Sequence, residues 1–421
     1  MAYPLLIHHL GAAAFGLYIL GTSFSGLLAF LDFGLSAATL KFIAEDTAKG
    51  DRQKASDTLV ASLLFCGGVG ILGAMAIWFL APWLVTLFSV KASMRVETVW
   101  VFRLAGFQFL ASFVNSIFLS FFKGLHRFHL SSLSLTMLSV LTYGGALLGV
   151  LWLKVGLLAV TAISLGANIV TLFVSALMAF FLCRQMGLDW WTAHPTRATY
   201  RRMFGFGSAM IVSSLAGIFH AQLQRIIIGS ILGPEYVTSF FLGAWGPTKV
   251  TAATLAISEP LFPKVATLTG NEPYDKVRPL YYRYMLGIAV VSFLGLLPLI
   301  LFPKFIFGLW FHDKIPPFLP EIARLISFGL FFNAIGQPAH HILNGTGKPW
   351  LNSFFYVLSP MVLYASIGVL YILKGRLGMM DFAWSTTISL AGVSIIYLIW
   401  YEWRFMRSKG HERIVNFQEA P

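Results

Sequence analysis

The sequence predicts an all-helical, polytopic membrane protein built from two repeated lobes. About 57% of the 421 residues are apolar and only 11% are charged, whereas a soluble domain usually carries roughly twice that charged fraction. Because a bilayer-spanning helix needs about 20 apolar residues, this content is sufficient for about eleven or twelve spans. The composition therefore excludes a soluble enzyme and a protein held in the membrane by a single anchor helix.

Uncharged stretches of helical length predict eleven membrane spans. The stretch at 237–258 differs from the others because it contains a full charge, Lys249, near its middle. Proline residues inside several stretches, such as Pro338 and Pro360, are compatible with membrane helices because neighbouring groups re-satisfy the backbone. The predicted spans are residues 12–31, 58–90, 104–122, 130–153, 155–183, 203–224, 237–258, 284–303, 325–347, 349–373 and 382–401.

Lysine and arginine are unevenly distributed between the two sets of alternate connectors. The set that includes the C-terminal tail holds 19 of these residues, and the other set holds 7. Cytoplasmic loops carry the excess of positive charge in membrane proteins. The asymmetry therefore predicts a cytoplasmic C-terminus.

The two halves of the chain resemble each other at an offset close to half its length. A shift of 222 residues aligns Gly11 with Gly233, and a shift of 221 aligns Arg103 with Arg324. The offset spans an even number of helices, so the two lobes are predicted to have the same orientation, as in transporters with parallel repeats.

The repeat also predicts the domain organisation. The span at 203–224 has its counterpart before Met1, so we expect the first lobe to lack its first helix and a complete pair of lobes to have twelve spans. The predicted domains are an N-terminal transmembrane lobe at 1–183, a cytoplasmic interfacial linker at 184–202, a C-terminal six-helix lobe at 203–405 and a cytoplasmic tail at 406–421.

Two stretches resemble the polysaccharide transporter family, which contains the Wzx-type O-antigen and lipid-linked oligosaccharide flippases. They are LGAAAFGLYILGTSFSGLLAFLDFGLSAATLKFIAEDTAKGD at 10–51 and RIIIGSILGPEYVTSFFLG at 225–243. The superfamily also holds the multidrug and toxin extruders and the lipid II flippase, and the resemblance covers nearly the whole chain. The family usually has an acidic residue just before the second stretch, where this chain has Gln224.

The resemblance implies a transporter with two six-helix lobes around a partly cationic cavity that opens alternately to each face. It implies that a polyprenyl-diphosphate-linked oligosaccharide is flipped across the bacterial inner membrane and that this transport is coupled to a cation. The implied partners are this lipid-linked glycan, the lipid bilayer, and a polysaccharide polymerase with its chain-length machinery.

Basic residues within or near the spans are candidate substrate-binding groups, because charge inside a membrane is energetically expensive. Lys249 is predicted to lie near mid-bilayer and either attracts a substrate diphosphate or snorkels and pairs with a carboxylate. Arg103 and Arg324 are repeat equivalents that either clamp phosphate from both lobes or anchor their helices at the interface. Arg225 either anchors its helix or lines the outer mouth.

Uncharged amides inside the spans are candidate ligands for sugar hydroxyls. Asn115, Asn333 and Gln337, together with Gln108, are polar groups on otherwise apolar helices. Such groups also form hydrogen bonds between neighbouring helices, and both interpretations remain open.

Two carboxylates are candidate sites for a coupling proton or sodium ion. Asp32 and Glu259 fall near the cytoplasmic ends of predicted spans. The alternative is that each caps a helix or pairs with a nearby lysine, Lys41 or Lys264.

We predict that the chain is not an enzyme and uses no cofactor, metal or nucleic acid. Its two cysteines lie in apolar stretches, and its basic residues are spread through short connectors. The competing functions are a cation-coupled multidrug exporter of the same superfamily and a membrane-embedded glycosyltransferase or polymerase. The exporter would favour an acidic cavity, and the enzyme would need large outer loops with paired carboxylates.

Overall fold

The computed structural model describes residues 2–88, 90–258, 261, 265, 277–311, 315–345 and 349–407. Regular secondary structure in this part of the chain is entirely helical, which confirms the predicted fold class. The candidate Glu259, the lysine at 264 and most of the tail predicted at 406–421 lie outside the described residues.

The described residues up to Ser258 form eleven α-helices. A 3₁₀ turn, Leu28–Asp32, follows α2, and two π segments, Val140–Gly144 and Phe219–Leu223, make α6–α7 and α9–α10 continuous. The helices are α1 (Ala2–Leu10), α2 (Ala12–Leu27), α3 (Leu35–Ala48), α4 (Arg52–Thr86), α5 (Arg95–Gly124), α6 (Phe128–Ser139), α7 (Gly145–Leu153), α8 (Leu157–Met186), α9 (Arg197–Ile218), α10 (Gln224–Ile231) and α11 (Pro234–Ser258).

Five further helices lie among the described residues from 277 to 401. The helix Pro303–Phe311 is short, and the others are long enough to span a bilayer at about 1.5 Å of rise per residue. They are α12 (Val277–Leu301), α13 (Pro303–Phe311), α14 (Leu319–Gly345), α15 (Pro349–Lys374) and α16 (Met379–Tyr401).

Nine helical segments of the described residues are long and apolar enough to cross a membrane. They correspond to nine of the eleven predicted spans, and the other two predictions fall within α9–α10 and α11. The helices extend beyond the uncharged stretches; α5, for example, begins at Arg95 rather than at residue 104. This extension has a physical reason, because charged residues at a helix end keep their backbone hydrogen bonds while their side chains reach the membrane interface.

The internal repeat is visible in where the helices begin. Helix α6 starts at Phe128 and α15 at Pro349, while α8 starts at Leu157 and α16 at Met379. These starts reproduce the two offsets of 221 and 222 found in the sequence. At both positions that follow α1 and α10, a glycine adopts a positive φ, +85° at Gly11 and +105° at Gly233, a conformation that glycine adopts without steric penalty.

The chain forms two compact units, Met1–Thr238 and Ser239–Pro421. The core of the first unit contains a cluster of phenylalanines on α5 that packs against α4 and α8. Helices α9 and α10 belong to this unit; Met203 packs with Leu35 and Ala38 of α3. The core of the second unit is centred on Tyr281 and Tyr397. The lobe and linker boundaries drawn from the sequence stay a prediction.

Candidate functional site: a polar cavity in the first unit

A cavity of about 570 Å³ lies within the first unit. Its volume falls in the range of about 300–1,000 Å³ that is typical of small-molecule sites. Of 18 described lining residues, 13 carry a hydroxyl, an amide or a carboxylate, which is unusual for an interior formed by apolar helices. The lining residues are Tyr18, Thr22, Ser25, Gly26, Ala29, Asp32, Ser36, Gln108, Phe109, Ser112, Phe113, Ser116, Leu138, Ser139, Thr142, Tyr143, Ser164 and Asn168.

Two polar stripes in the sequence produce this lining. Along α2 and the start of α3, the lining residues recur at alternating spacings of four and three, from Tyr18 to Ser36. On α5, Gln108 is followed at spacings of four by Ser112 and Ser116. Because residues three or four apart lie on one helix face, each stripe faces the cavity. The hydroxyl groups of these stripes were not among the residues predicted from the sequence, although their spacing is a signal of a polar helix face.

A hydrogen-bonded cluster centred on Ser164 forms one part of the cavity wall. The Gln108 amide donates to Ser164 Oγ, and Tyr18 Oη lies 3.2 Å from the same oxygen. The Asn168 amide donates to the Ser164 backbone carbonyl at 2.9 Å. The remaining oxygen of the buried Gln108 amide, Oε1, has no hydrogen-bond partner among the described residues. The cluster therefore holds the amide in place and leaves its buried oxygen without a partner among the described residues.

Asp32 provides the one charged side chain among the described lining residues. Its carboxylate accepts hydrogen bonds from the Ser36 backbone N–H at 3.2 Å and from Ser36 Oγ at 3.0 Å. These bonds satisfy groups at the start of α3, as a capping carboxylate does. Lys41 does not pair with the Asp32 carboxylate. The Lys41 ammonium instead lies 4.1 Å from the ring centroid of Phe206.

An ion-pair cluster joins α3 to α9 outside the cavity. The Arg202 guanidinium donates two hydrogen bonds to Asp46, at 2.8 and 2.9 Å, and lies 3.9 Å from the ring centroid of Phe42. Glu45 completes the cluster, 3.4 Å from Arg202. A hydrogen bond from Lys49 holds the pKa of Glu45 below its ordinary value. Arg202 falls at the end of the linker predicted from the sequence, and its bidentate contact with Asp46 was not predicted.

The profile of the family described as "Polysaccharide biosynthesis protein" matches residues 2–255, which is more than half of the chain. The chain belongs to this family. The result confirms the family that the sequence resemblance indicated.

A relative of this family member is the "Putative O-antigen transporter" of Shigella flexneri, which is 20% identical over 397 residues, covering 93% of this chain and 91% of that protein. Solved structures with the same fold include an inward-facing multidrug resistance MATE family transporter of the MOP superfamily. It has a TM-score of 0.85 at 15% identity and covers 100% of this chain and 95% of its own. A MOP superfamily transporter from Pyrococcus furiosus has a TM-score of 0.66 at 16% identity, covering 96% and 94%.

In this family member, the predicted cationic site residues of the first unit do not line the cavity. The Arg103 guanidinium lies over Trp78 and Trp100, 4.7 and 4.9 Å from their ring centroids. Arg225 donates a hydrogen bond to Gln222 at 3.3 Å. The contact of Arg103 with two tryptophans is consistent with the alternative that this residue anchors its helix. A substrate-binding role for Arg103 or Arg225 stays a prediction.

The two cations predicted in the second unit have polar or aromatic neighbours of their own. Lys249 is exposed, with its ammonium 5.6 Å from the ring centroid of Trp245. Arg324 Nε donates to the Ile300 carbonyl at 2.9 Å, close to the end of α12. The substrate-binding role of both residues remains a prediction.

The predicted amides have different surroundings. Asn333 donates to Ser394 of α16 at 3.4 Å, which is a contact between helices of the kind that formed the alternative interpretation. Gln337 donates to Asn333 at 3.5 Å within α14. Asn115 is buried on α5, and its Oδ1 atom has no partner among the described residues. Only Gln108, among the amides considered from the sequence, lines the cavity.

Proposed function

We propose that this protein flips a polyprenyl-diphosphate-linked oligosaccharide across the bacterial inner membrane by alternating access. Membership of the polysaccharide biosynthesis family supports this function. So does the similarity to an O-antigen transporter over more than nine-tenths of both chains. The fold it shares with MOP superfamily transporters is suited to moving a solute between two membrane faces.

The observation that carries the proposal is the cavity of uncharged polar groups in the first unit. Serine, threonine and tyrosine hydroxyls donate and accept hydrogen bonds, and amides do both with separate atoms. A glycan presents hydroxyls that need such partners when they leave water. A membrane protein without a polar ligand would fill this space with apolar side chains, since unsatisfied polar groups in a membrane are costly.

Coupling of transport to a proton or a cation is a further part of the proposal. Asp32 supports it, because its carboxylate is the charged group in the described cavity lining. Glu259 stays a candidate from the sequence. In this proposal the glycan is transported without chemical change, so no residue is assigned a catalytic role.

A cation-coupled multidrug exporter is the second candidate function. The TM-score of 0.85 to a multidrug resistance transporter favours it at the level of the fold. The cavity lining favours a glycan, because it carries twelve uncharged polar side chains and one carboxylate. Cells lacking their own drug exporters would distinguish the two functions: the glycan proposal predicts that expression of this protein does not raise their resistance to cationic drugs.

Substitution of cavity residues tests the proposed function directly. Gln108→Leu and Ser164→Ala are each expected to reduce export of lipid-linked repeat units by about fivefold or more, because each leaves a buried partner unsatisfied. Accumulation of untranslocated repeat units on the cytoplasmic leaflet, measured in cells that depend on this protein, checks the prediction.

Ser175→Ala is the matched control for this experiment. Ser175 lies on the same helix as Ser164, is buried, and forms a hydrogen bond with Ser134 at 2.8 Å outside the cavity. Export should stay at the level of the unaltered protein. Equal export by all three variants and the unaltered protein would contradict a role for the cavity.

The orientation of the chain is a separate prediction that follows from the 19-to-7 asymmetry of basic residues. Reporter fusions after Lys54, Arg197 and Arg407 should all report cytoplasm, whereas fusions at Lys91 and Lys314 should report the opposite face. Enzymatic reporters that are active on only one side of the membrane provide the measurement. Opposite orientation of the two halves would contradict the parallel repeat.

Lys249 is proposed to supply positive potential to the lipid diphosphate. Lys249→Ala should then abolish most export at normal protein levels. Lys249→Arg should retain part of it, because the charge is kept while the geometry changes. Export by the alanine variant at the full rate, measured against protein levels in the membrane, would leave Lys249 a role in packing against Trp245.

A further inference from the structure

We propose that the cavity of the first unit binds the sugar part of the substrate and selects uncharged sugar rings over acidic ones. The inference rests on the proposed function, which names a glycan but not the chemical class of its sugars. It assigns the recognition of sugar and of diphosphate to different places in the protein.

The charge of the lining is the first reason. The described lining residues include no lysine, arginine or histidine, and Asp32 is their one charged side chain. A uronic acid carboxylate entering this space loses water without gaining a cationic partner. It is also repelled by Asp32, because like charges interact more strongly inside a protein cavity than in bulk water. The same argument applies to a diphosphate, which therefore binds elsewhere.

The hydrogen-bonding capacity of the wall is the second reason. Gln108 is only 6% exposed, and its Oε1 atom has no partner among the described residues although the amide is held in place by Ser164. A buried acceptor of this kind requires a donor. A sugar hydroxyl supplies one, whereas a carboxylate is an acceptor only. Gln108 Oε1 therefore favours a ligand that carries hydroxyl groups.

Aromatic side chains in the same lining form the third reason. Phe109 and Phe113 stack with ring centroids 4.9 Å apart, and Tyr18 and Tyr143 also line the cavity. Aromatic ring faces carry negative partial charge, so they favour the C–H face of a neutral sugar ring. A combination of aromatic faces with hydroxyls and an amide provides partners for both faces of such a ring.

Saturation-transfer NMR on the purified protein in lipid nanodiscs tests the proposal. The probes are matched pairs that differ only in oxidation at C6: glucose and glucuronate, galactose and galacturonate, mannose and mannuronate. At neutral pH at least one neutral sugar should receive saturation. The affinity of its acidic partner should be lower by a factor of about ten or more. Inorganic pyrophosphate should not displace the neutral sugar.

Two cavity variants place the binding at this site. Gln108→Leu and Ser164→Ala should each weaken binding of the neutral sugar by about fivefold or more. Ser175→Ala, the control on the same helix, should leave the signal unchanged. Size-exclusion profiles of the three variants establish that each is folded before its signal is compared.

Three outcomes of the binding experiment would overturn the inference: no saturation of any neutral sugar, equal binding of a sugar and its acid, or neutral-sugar binding that neither cavity variant weakens. Export by cells is measured separately. Sugar binding at this cavity without export of any lipid-linked repeat unit would overturn the proposed function, but the cavity would still be a sugar-binding site. Export of acidic and neutral repeats at equal rates would overturn the selectivity and leave the function.

Discussion

Replacement of Asp46 by asparagine is expected to lower the free energy of unfolding by about 2–4 kcal/mol. Asp46 is 2% exposed and accepts two hydrogen bonds from Arg202. The substitution keeps the shape of the side chain but leaves the guanidinium without its bidentate partner. Removal of one member of a buried pair costs about 3–5 kcal/mol, and the lower range applies here because the Arg202 side chain is 31% exposed.

Thermal unfolding of the purified protein in detergent provides the measurement. Glu45→Gln is the matched control, since Glu45 contacts the same guanidinium at 3.4 Å but lies at the surface. This variant should unfold at nearly the temperature of the unaltered protein. The double variant Asp46→Asn/Arg202→Gln should be more stable than the sum of its single changes predicts. Additive effects would show that the two side chains do not interact.

Gly16→Ala is expected to destabilise the first unit by about 3 kcal/mol or more. A Cβ atom built on Gly16 would lie 1.8 Å from the Pro234 carbonyl oxygen. Backbone cannot move aside as a flexible side chain does, so α2 and the start of α11 would have to separate. That movement would also disturb the hydrogen bond of 2.6 Å from Thr238 to the Ala12 carbonyl.

Gly68→Ala on α4 is the control for this substitution. A Cβ atom at Gly68 meets nothing within 4 Å, and alanine is favoured over glycine in a helix by up to about 1 kcal/mol. The control should therefore be as stable as the unaltered protein or more stable. Equal unfolding temperatures for the Gly16 and Gly68 variants would contradict the close approach of α2 and α11.

The sequence by itself predicted the helices, the repeat and the family. Backbone polar groups inside a bilayer have to be satisfied within one segment, so a long uncharged stretch permits little besides a helix. The repeat was visible because glycines such as Gly11 and Gly233 recur at connectors, where the backbone conformation restricts the residue type. Signals of this kind are local in the chain and do not depend on which helices become neighbours.

The candidate site could be predicted only in part. Asp32 was identified as a functional candidate and lines the cavity, and Gln108 was considered among several amides. Arg103 was also a candidate, but its guanidinium lies over Trp78 and Trp100. A charged residue within a predicted span is easily identified in a sequence. The side chains that contact it in the folded protein cannot be identified in the same way.

Which helix faces meet was decided by the tertiary structure alone. Asp46 and Arg202 are separated by 156 residues, and Ser164 meets Gln108 across 56 and Tyr18 across 146. In a membrane protein apolar residues cover most of each helix, so hydrophobic periodicity does not show which neighbouring helix a polar stripe will meet. The polar stripe of α2 becomes a cavity wall only because α5 and α8 place their own amides and hydroxyls opposite it.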